Sequence, residues 1–317
     1  MATTPTPTPT PTQSRGKTNF NKVQEFNRAF DMVDKEPAQY TSGYIDELDR
    51  QQRDEYQHIR PQIFTETPKI IKLRLDLIKE EIGELNQAIE TNDFIETRDA
   101  LADILYVVYG MADVLGINID TVFRNSIENY NRIDNGLKIF EGVIKYANKD
   151  ETNGKPIGLT NFDWVRIIND INKGSSDGDI VSDNLKLIQK YINENYTKLE
   201  EFCLSQMEKN REAFVKIADY LYNILKWVYT YAYFAKVDAN SDFAIVHDSN
   251  MSKLCDTIED AQATVNDYTE KYVSGNSPYD SPYYYELPEL GKWIVKNKST
   301  GKALKNIKYK KVDFNSN

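Results

Sequence analysis

Hydrophobic residues after Pro68 recur at alternating spacings of four and three: Ile71, Leu75, Ile78, Ile82, Leu85 and Ile89. That is the period of a helix with one continuous apolar stripe. Beside it runs a second row at the same spacing, Arg74, Leu77, Glu81, Glu84 and Ala88. At 100° per residue, Glu81 stands roughly 80° from the centre of the apolar stripe, at the edge of the core. Glu80 projects nearly opposite, toward solvent. A second strong helix is predicted from about Ile95 to Leu115, with Leu101, Ile104, Leu105, Val108, Ala112 and Leu115 on its apolar face. Asp99, Asp103, Tyr106, Gly110 and Asp113 form another row on it, and Gly116 stops it.

The remaining pattern is again mostly helical. Residues 19–34 read as a short amphipathic helix through Phe20, Val23, Phe26, Phe30 and Val33, and 35–68 as loop with a short helix containing a surface His58. A third helix is expected over Thr121–Ile133, capped by Asp120, and another over Asn161–Lys173. The run Gly174–Asp179 reads as a loop near a domain boundary. Long helices follow near Asn184–Met207 and Glu212–Lys236. The tail alternates apolar and polar residues over Gly291–Tyr309 around a Ser-Thr-Gly turn, which predicts a β-hairpin, and the aromatic stretch before it reads as loop.

Within the second half, ADYLYNILKWVY echoes ADILYVVYG, and DFAIVHDSNM echoes VFRNSIENYN. The expected fold is therefore mainly α, an antiparallel helical bundle with a degenerate internal duplication and a small C-terminal β-hairpin. Residues 1–18 form a Thr/Pro tail expected to be extended and disordered. Residues 19–150 form a first helical half, 151–183 a linker with a short helix, and 184–317 a second half.

Composition narrows the function classes. The formal net charge of −10 argues against a partner that is a nucleic-acid polymer. No apolar stretch of about 18 residues predicts a membrane span, and no secretory leader is evident. Two cysteines, Cys203 and Cys255, make no disulfide framework, so a cytoplasmic, reducing environment is expected.

The acids change the picture most. Glu80, Glu81 and Glu84 in EEIGE, and Asp99 and Asp103 in DALAD, lie in segments that otherwise read as core helices. Buried carboxylates are costly unless something pairs with them. Two at i and i+3 on one helix and two at i and i+4 on an antiparallel neighbour can surround one ion. An all-oxygen set suits Mg²⁺ or Mn²⁺, not zinc. Such an ion neutralises phosphate charge and activates water in phosphoryl chemistry.

EEIGE followed by DALADILYVVYG resembles the all-α nucleoside triphosphate pyrophosphohydrolase superfamily, MazG-like and phosphoribosyl-ATP pyrophosphohydrolase-like. The family pattern is EExxE, a spacer, then ExxD. Glu80, Glu81, Glu84 and Asp103 match it, whereas Ala100 stands where the family has its second-motif Glu. The segment HDSNMSKL, His247–Leu254, and the GK-rich end GKALKNIKY also resemble a subgroup of this family. More than a hundred residues separate DALAD from HDSNMSKL, unlike compact members.

The resemblance implies a Mg²⁺- or Mn²⁺-dependent hydrolase that cleaves the α–β phosphate linkage of a (d)NTP or phosphoribosyl-ATP-like nucleotide. Glu81, Glu84, Asp99 and Asp103 are the expected metal ligands, with Glu80 and Glu81 the expected catalytic acids. Arg74, His247, Ser249, Asn250, Ser252 and Lys253 are the expected substrate contacts. Without the resemblance, HDSNMSK reads as a polar loop capping a helix, and Arg74 as one half of an ion pair. Family assemblies imply a homodimer or an intramolecular pseudo-dimer. The alternative is a non-catalytic nucleotide sensor or a helical interaction protein of the same fold.

Overall fold

The first apolar stripe builds a long helix, Pro68–Thr91. In the computed structural model, residues 18–30, 58–122 and 177–314 are described, and side chains from residue 185 onward in the last span. Helix α1 covers Asn19–Ala29, α2 Ile63–Glu66, α3 Pro68–Thr91 and α4 Phe94–Leu115. Pro68 occupies the first turn of α3, where its missing N–H is no loss. Ile71, Leu75, Ile78, Ile82, Leu85 and Ala88 are buried along one face. Asn92 ends α3 in the left-handed region at φ 55°, and Asp93 caps α4 by accepting from the N–H groups of Ile95 and Glu96. So short a connection folds α3 and α4 back on one another as an antiparallel pair.

Helix α4 is central. It packs against α1, α3, the helix α6 (Arg211–Phe234) and the helix α7 (Ala239–Met251). Most of its residues from Ala100 to Leu115 are buried. Gly116 closes it at φ 74°, and a Cβ there would stand 1.8 Å from the His58 carbonyl oxygen, so only glycine fits.

Helix α5 (Asp177–Leu204) pairs with α6, and this second pair lies against the first through α3–α5 and α4–α6 contacts. Tyr191 stacks on Trp227 at 4.7 Å within the pair. Across the pairs, the Tyr109 and Tyr229 hydroxyls meet at 3.0 Å, and the Tyr196 hydroxyl donates to the Leu75 carbonyl at 3.3 Å. The result is a four-helix bundle, with α1 and α7 laid over α4. Helix α8 (Ile258–Val273) backs an antiparallel hairpin of β1 (Pro282–Leu287) and β2 (Lys292–Asn297), with Tyr284 opposite Val295. Cys255, Ala261, Val295 and Leu304 form its small separate core.

Five expectations need correction. Helix α5 begins at Asp177, inside the run read as a loop. The stretch read as loop before the tail contains β1, because PYYYEL has strong β propensity and β2 supplies its partner. The hairpin therefore turns at Pro288–Gly291. The Ser-Thr-Gly turn follows it and returns Ala303 to a bridge with Lys296. Asn118, not Asp120, accepts from the Thr121 N–H, while Asp120 accepts from the Thr18 hydroxyl at 2.7 Å. Finally, HDSNM is the end of α7 and not a loop. The tail 1–17, most of the third helix, and the helix expected over 161–173 lie outside the described residues.

Candidate active site

Helices α3 and α4 bring the two acidic motifs face to face. Glu81 is half-buried, Asp99 and Asp103 are half-buried, and Glu80 and Glu84 are exposed. Burial, then Asp103, Glu84, Glu80 and Asp99, pushes the Glu81 carboxyl up to about 9. Burial and Asp99 lift Asp103 to about 7, with Lys253 and Lys305 pulling the other way. Asp99 is raised to about 6 by burial, Glu96, Glu84 and Asp242. These carboxylates repel one another through a poorly solvated space.

Among the described residues, no three acidic, histidine or cysteine side chains converge as a finished metal cage. The donor set nevertheless fits a hard divalent cation. All its ligand atoms are carboxylate oxygens. The buried Oδ1 of Asp99 has no hydrogen-bond partner among the described residues, a state that a buried oxygen holds only at a penalty. An ion would satisfy that oxygen and relieve the repulsion together.

Helix α7 crosses α4 beside these acids. Arg98 clasps Asp242 through two hydrogen bonds of 2.6 and 2.9 Å, and Arg98 also lies over the Phe314 ring at 4.7 Å. Further along, the Tyr106 hydroxyl meets His247 Nδ1 at 3.1 Å, although the residues are 141 apart in sequence. The His247 and Tyr106 rings stack, with centroids 6.0 Å apart.

Just past α7, half-buried Lys253 donates to Asn250 Oδ1 at 2.6 Å and lies over the Phe26 ring at 5.7 Å. Its ammonium interacts with Asp103 and Glu81. Burial lowers it to about 8 against that attraction, helped by Lys305 and Lys302. Ser249 and Ser252 are turned to the C-terminal segment instead. The Ser249 hydroxyl donates to the Lys310 carbonyl at 2.9 Å and meets the Tyr309 hydroxyl at 2.9 Å. The Ser252 hydroxyl donates to the Ser249 carbonyl at 2.6 Å and accepts from the Lys310 N–H at 3.0 Å.

Arg74 stands apart from this group. It is buried between α1, α3 and α4, where it donates to Asn27 Oδ1 at 3.2 Å. The attraction of Asp113 only partly offsets its burial, which lowers it to about 10. Asp113 accepts from Gln24 at 3.1 Å and from Asn27 at 2.8 Å. A Cβ at Gly110 would approach Arg74 Nη1 to 2.8 Å, so that glycine leaves room for the guanidinium.

Sequence reasoning missed Tyr106, the Arg98–Asp242 clasp, Lys302 and Lys305. The lysines were visible only as a GK-rich run, and nothing in their spacing pointed to the acids. At the second-half position that echoes Asp103, Asp219 is exposed, and burial alone raises it.

Residues 44–129 match the family model for phosphoribosyl-ATP pyrophosphohydrolase, and the chain belongs to this MazG-like, all-α nucleoside triphosphate pyrophosphohydrolase superfamily. The chain is also 32% identical over 301 residues to uncharacterized protein L479 of Acanthamoeba polyphaga mimivirus, covering 95% of this chain and 96% of that protein. No solved structure matches it. Among the described residues, no helix is long and apolar enough to cross a membrane.

Proposed function

We propose that the chain hydrolyses the α–β phosphoanhydride of a nucleoside triphosphate or phosphoribosyl-ATP-like nucleotide, giving a monophosphate and pyrophosphate, with Mg²⁺ or Mn²⁺. The observation that carries this reading is the opposition of two acidic helix edges, Glu81 and Glu84 on α3 and Asp99 and Asp103 on α4, whose field also reaches the Lys253 ammonium. Glu81, Glu84, Asp99 and Asp103 would hold the ion. When bound, it supplies charge neutralisation for the phosphates and a more acidic water. Lys253 opposes the remaining phosphate charge, and Asn250 fixes its ammonium in place. His247, held by Tyr106, is a further proposed contact to the nucleotide. Glu80 and Glu81 are the carboxylates offered to the proton of the attacking water. The helical pair α5–α6 takes the place of a second subunit, and two buried thiols fit a reducing compartment.

A second reading, a non-catalytic nucleotide sensor, is favoured by Ala100. It is 2% exposed, and no carboxylate stands where the family has its Glu. Pyrophosphate release from a nucleotide panel with Mg²⁺, wild type against Glu81→Gln, separates the two. Turnover abolished by the substitution supports hydrolysis. Binding without turnover supports the sensor.

A further inference from the structure

Net charge hides a local reversal. Between Gly291 and Lys311 the chain has eight lysines and no acid, in a protein whose formal charge is −10. The fold fixes the later part of this run in place. After β2, the chain turns through Ser299–Gly301 and passes α8 and the end of α7. The Leu304 N–H donates to the Val295 carbonyl at 2.8 Å, and the Ile307 N–H to the Thr264 hydroxyl at 3.1 Å. Asn306 fastens the segment between them. The side chain is buried, and its amide donates to the carbonyls of Ser252 at 2.7 Å and Leu254 at 2.6 Å. Lysines on both sides of these anchors are therefore borne by a backbone held in one course.

Lys302 and Lys305 flank buried Leu304 and are exposed, and neither makes an ion pair among the described residues. Each lies instead over a half-buried tyrosine ring, Lys302 at 5.9 Å from the Tyr279 centroid and Lys305 at 4.6 Å from that of Tyr309. Tyr279 meets Tyr268 edge to face at 5.8 Å, and both pack on the small core that contains Leu304. Lys308 and Lys271, by contrast, are bound to Asp260 and Asp267, each at 2.7 Å. The surface thus interleaves tyrosine rings with cations that have no carboxylate. An exposed cation–π contact is weaker than a base stacked on an aromatic ring. A nucleobase can take the face of Tyr279 or Tyr309, and the displaced ammonium stays beside it for the phosphate.

We propose that Lys302, Lys305, Tyr268, Tyr279 and Tyr309 form a surface that binds single-stranded nucleic acid. The inference does not rest on the nucleotide reading above, because it uses none of the acids. The overall charge of −10 led to the opposite expectation. Charge acts locally, however, since exposed charges more than about 8–10 Å apart are largely screened at ordinary ionic strength. A strand on this surface meets the lysines of Gly291–Lys311 before the acids of the helical bundle. The tyrosines decide which polymer. A duplex hides its bases and offers phosphates alone, whereas a single strand offers rings to stack. A lipid surface would call for adjoining exposed apolar side chains, and over residues 302–311 only Ile307 is a strongly exposed large apolar residue.

The test is fluorescence anisotropy of a labelled oligothymidylate of about 20 nucleotides, longer than one such surface spans, and of its duplex with oligoadenylate, each titrated with the full chain over a range of salt. The variants are the pair Lys302→Glu with Lys305→Glu, the pair Lys302→Arg with Lys305→Arg, Tyr279→Leu, and Lys190→Glu on α5 as an exposed control. Wild type is expected to bind the single strand more tightly than the duplex, with an affinity that falls as salt rises. The glutamate pair should weaken binding about tenfold or more and flatten the salt dependence, and the arginine pair should retain it. Tyr279→Leu keeps the apolar packing and removes a stack but no charge, so affinity should fall about five- to tenfold at an unchanged salt slope. Lys190→Glu should match wild type. Unchanged circular dichroism and thermal midpoints establish that the variants fold, and the exposed lysines carry the test should Tyr279→Leu lose stability. Wild-type affinity in the glutamate pair, no binding of the single strand, or tighter binding of the duplex overturns the proposal. So does lysine-dependent capture of phosphatidylserine vesicles in place of the oligonucleotide. Displacement by a mononucleotide of a strand that the glutamate pair still holds would assign that binding to the acid cluster and also overturn the surface. Nucleotide turnover without strand binding leaves the hydrolase reading standing alone, and strand binding without turnover leaves the surface standing alone.

Discussion

Glu81 is the residue on which structure and chemistry converge. Its carboxyl is pushed from 4.5 to about 9 by burial and four neighbouring acids. A carboxyl whose folded pKa is raised stabilises the fold in its protonated form. That contribution is fully present below the unfolded pKa and is lost as pH rises through the folded value. The metal-free protein should therefore lose thermal stability between about pH 5 and pH 9. Binding of Mn²⁺ must displace the proton, so its stabilising effect should grow over the same window. Scanning fluorimetry at the two ends, with and without Mn²⁺, checks this, and a metal-induced shift independent of pH would count against Glu81 as a ligand. Glu81→Gln should raise the metal-free midpoint, by about 1 kcal/mol once solvent screening is allowed for, while removing the response to Mn²⁺. Tyr106→Phe tests a different residue. It leaves His247 Nδ1 without its hydroxyl partner at a buried position, and urea denaturation should show a loss of about 1 kcal/mol.

At the scale of elements, the clasp between α4 and α7 governs alignment. Asp242 is 1% exposed and has Arg98 as its bidentate partner. Arg98→Ala leaves that carboxylate buried without its cation, at a cost of about 3 kcal/mol. Asp242→Asn should lose less, because an amide still accepts from the guanidinium. Chemical denaturation of both variants measures the difference, and equal losses would refute the argument. The helices themselves were legible in the sequence because their apolar spacing is regular. The stripe from Ile71 to Leu85 is buried as its period required. The exceptions have local causes. Strand β1 is rich in tyrosine with no clean alternation, since several of its residues are half-buried on both faces. HDSNM looked like a loop because it is almost wholly polar, yet its residues have partners within the fold: His247 meets Tyr106, Ser249 donates to the Lys310 carbonyl and Asn250 accepts from Lys253.

For the whole molecule, the two helical pairs are unequal. Among the described residues, only α3–α4 carries opposed acids, and Asp219 on α6 has none of the like-charged company that surrounds Asp103. Asp219→Asn should leave Mn²⁺ stoichiometry and affinity unchanged, whereas Asp103→Asn should abolish tight binding. Isothermal titration distinguishes them, and a loss of bound metal in Asp219→Asn would reveal a second centre. The acids of the first half could be read from sequence because helix geometry alone places Glu81 and Glu84 on one edge and Asp99 and Asp103 on another. The fastening of residues 249–254 to the C-terminal segment could not. It depends on how α7 crosses α4 and on where the hairpin returns, and residue spacing encodes neither.

The Asn306 clasp has a consequence for biosynthesis. A ribosome delivers the acids of α3 and α4 long before it delivers Asn306. Until Asn306 emerges and reaches the carbonyls of Ser252 and Leu254, the end of α7 lacks the segment to which the Ser249 hydroxyl is bound. Sequence-distant contacts of this kind close late in folding. The acidic helical pair can therefore pack before the chain beyond α7 is fastened.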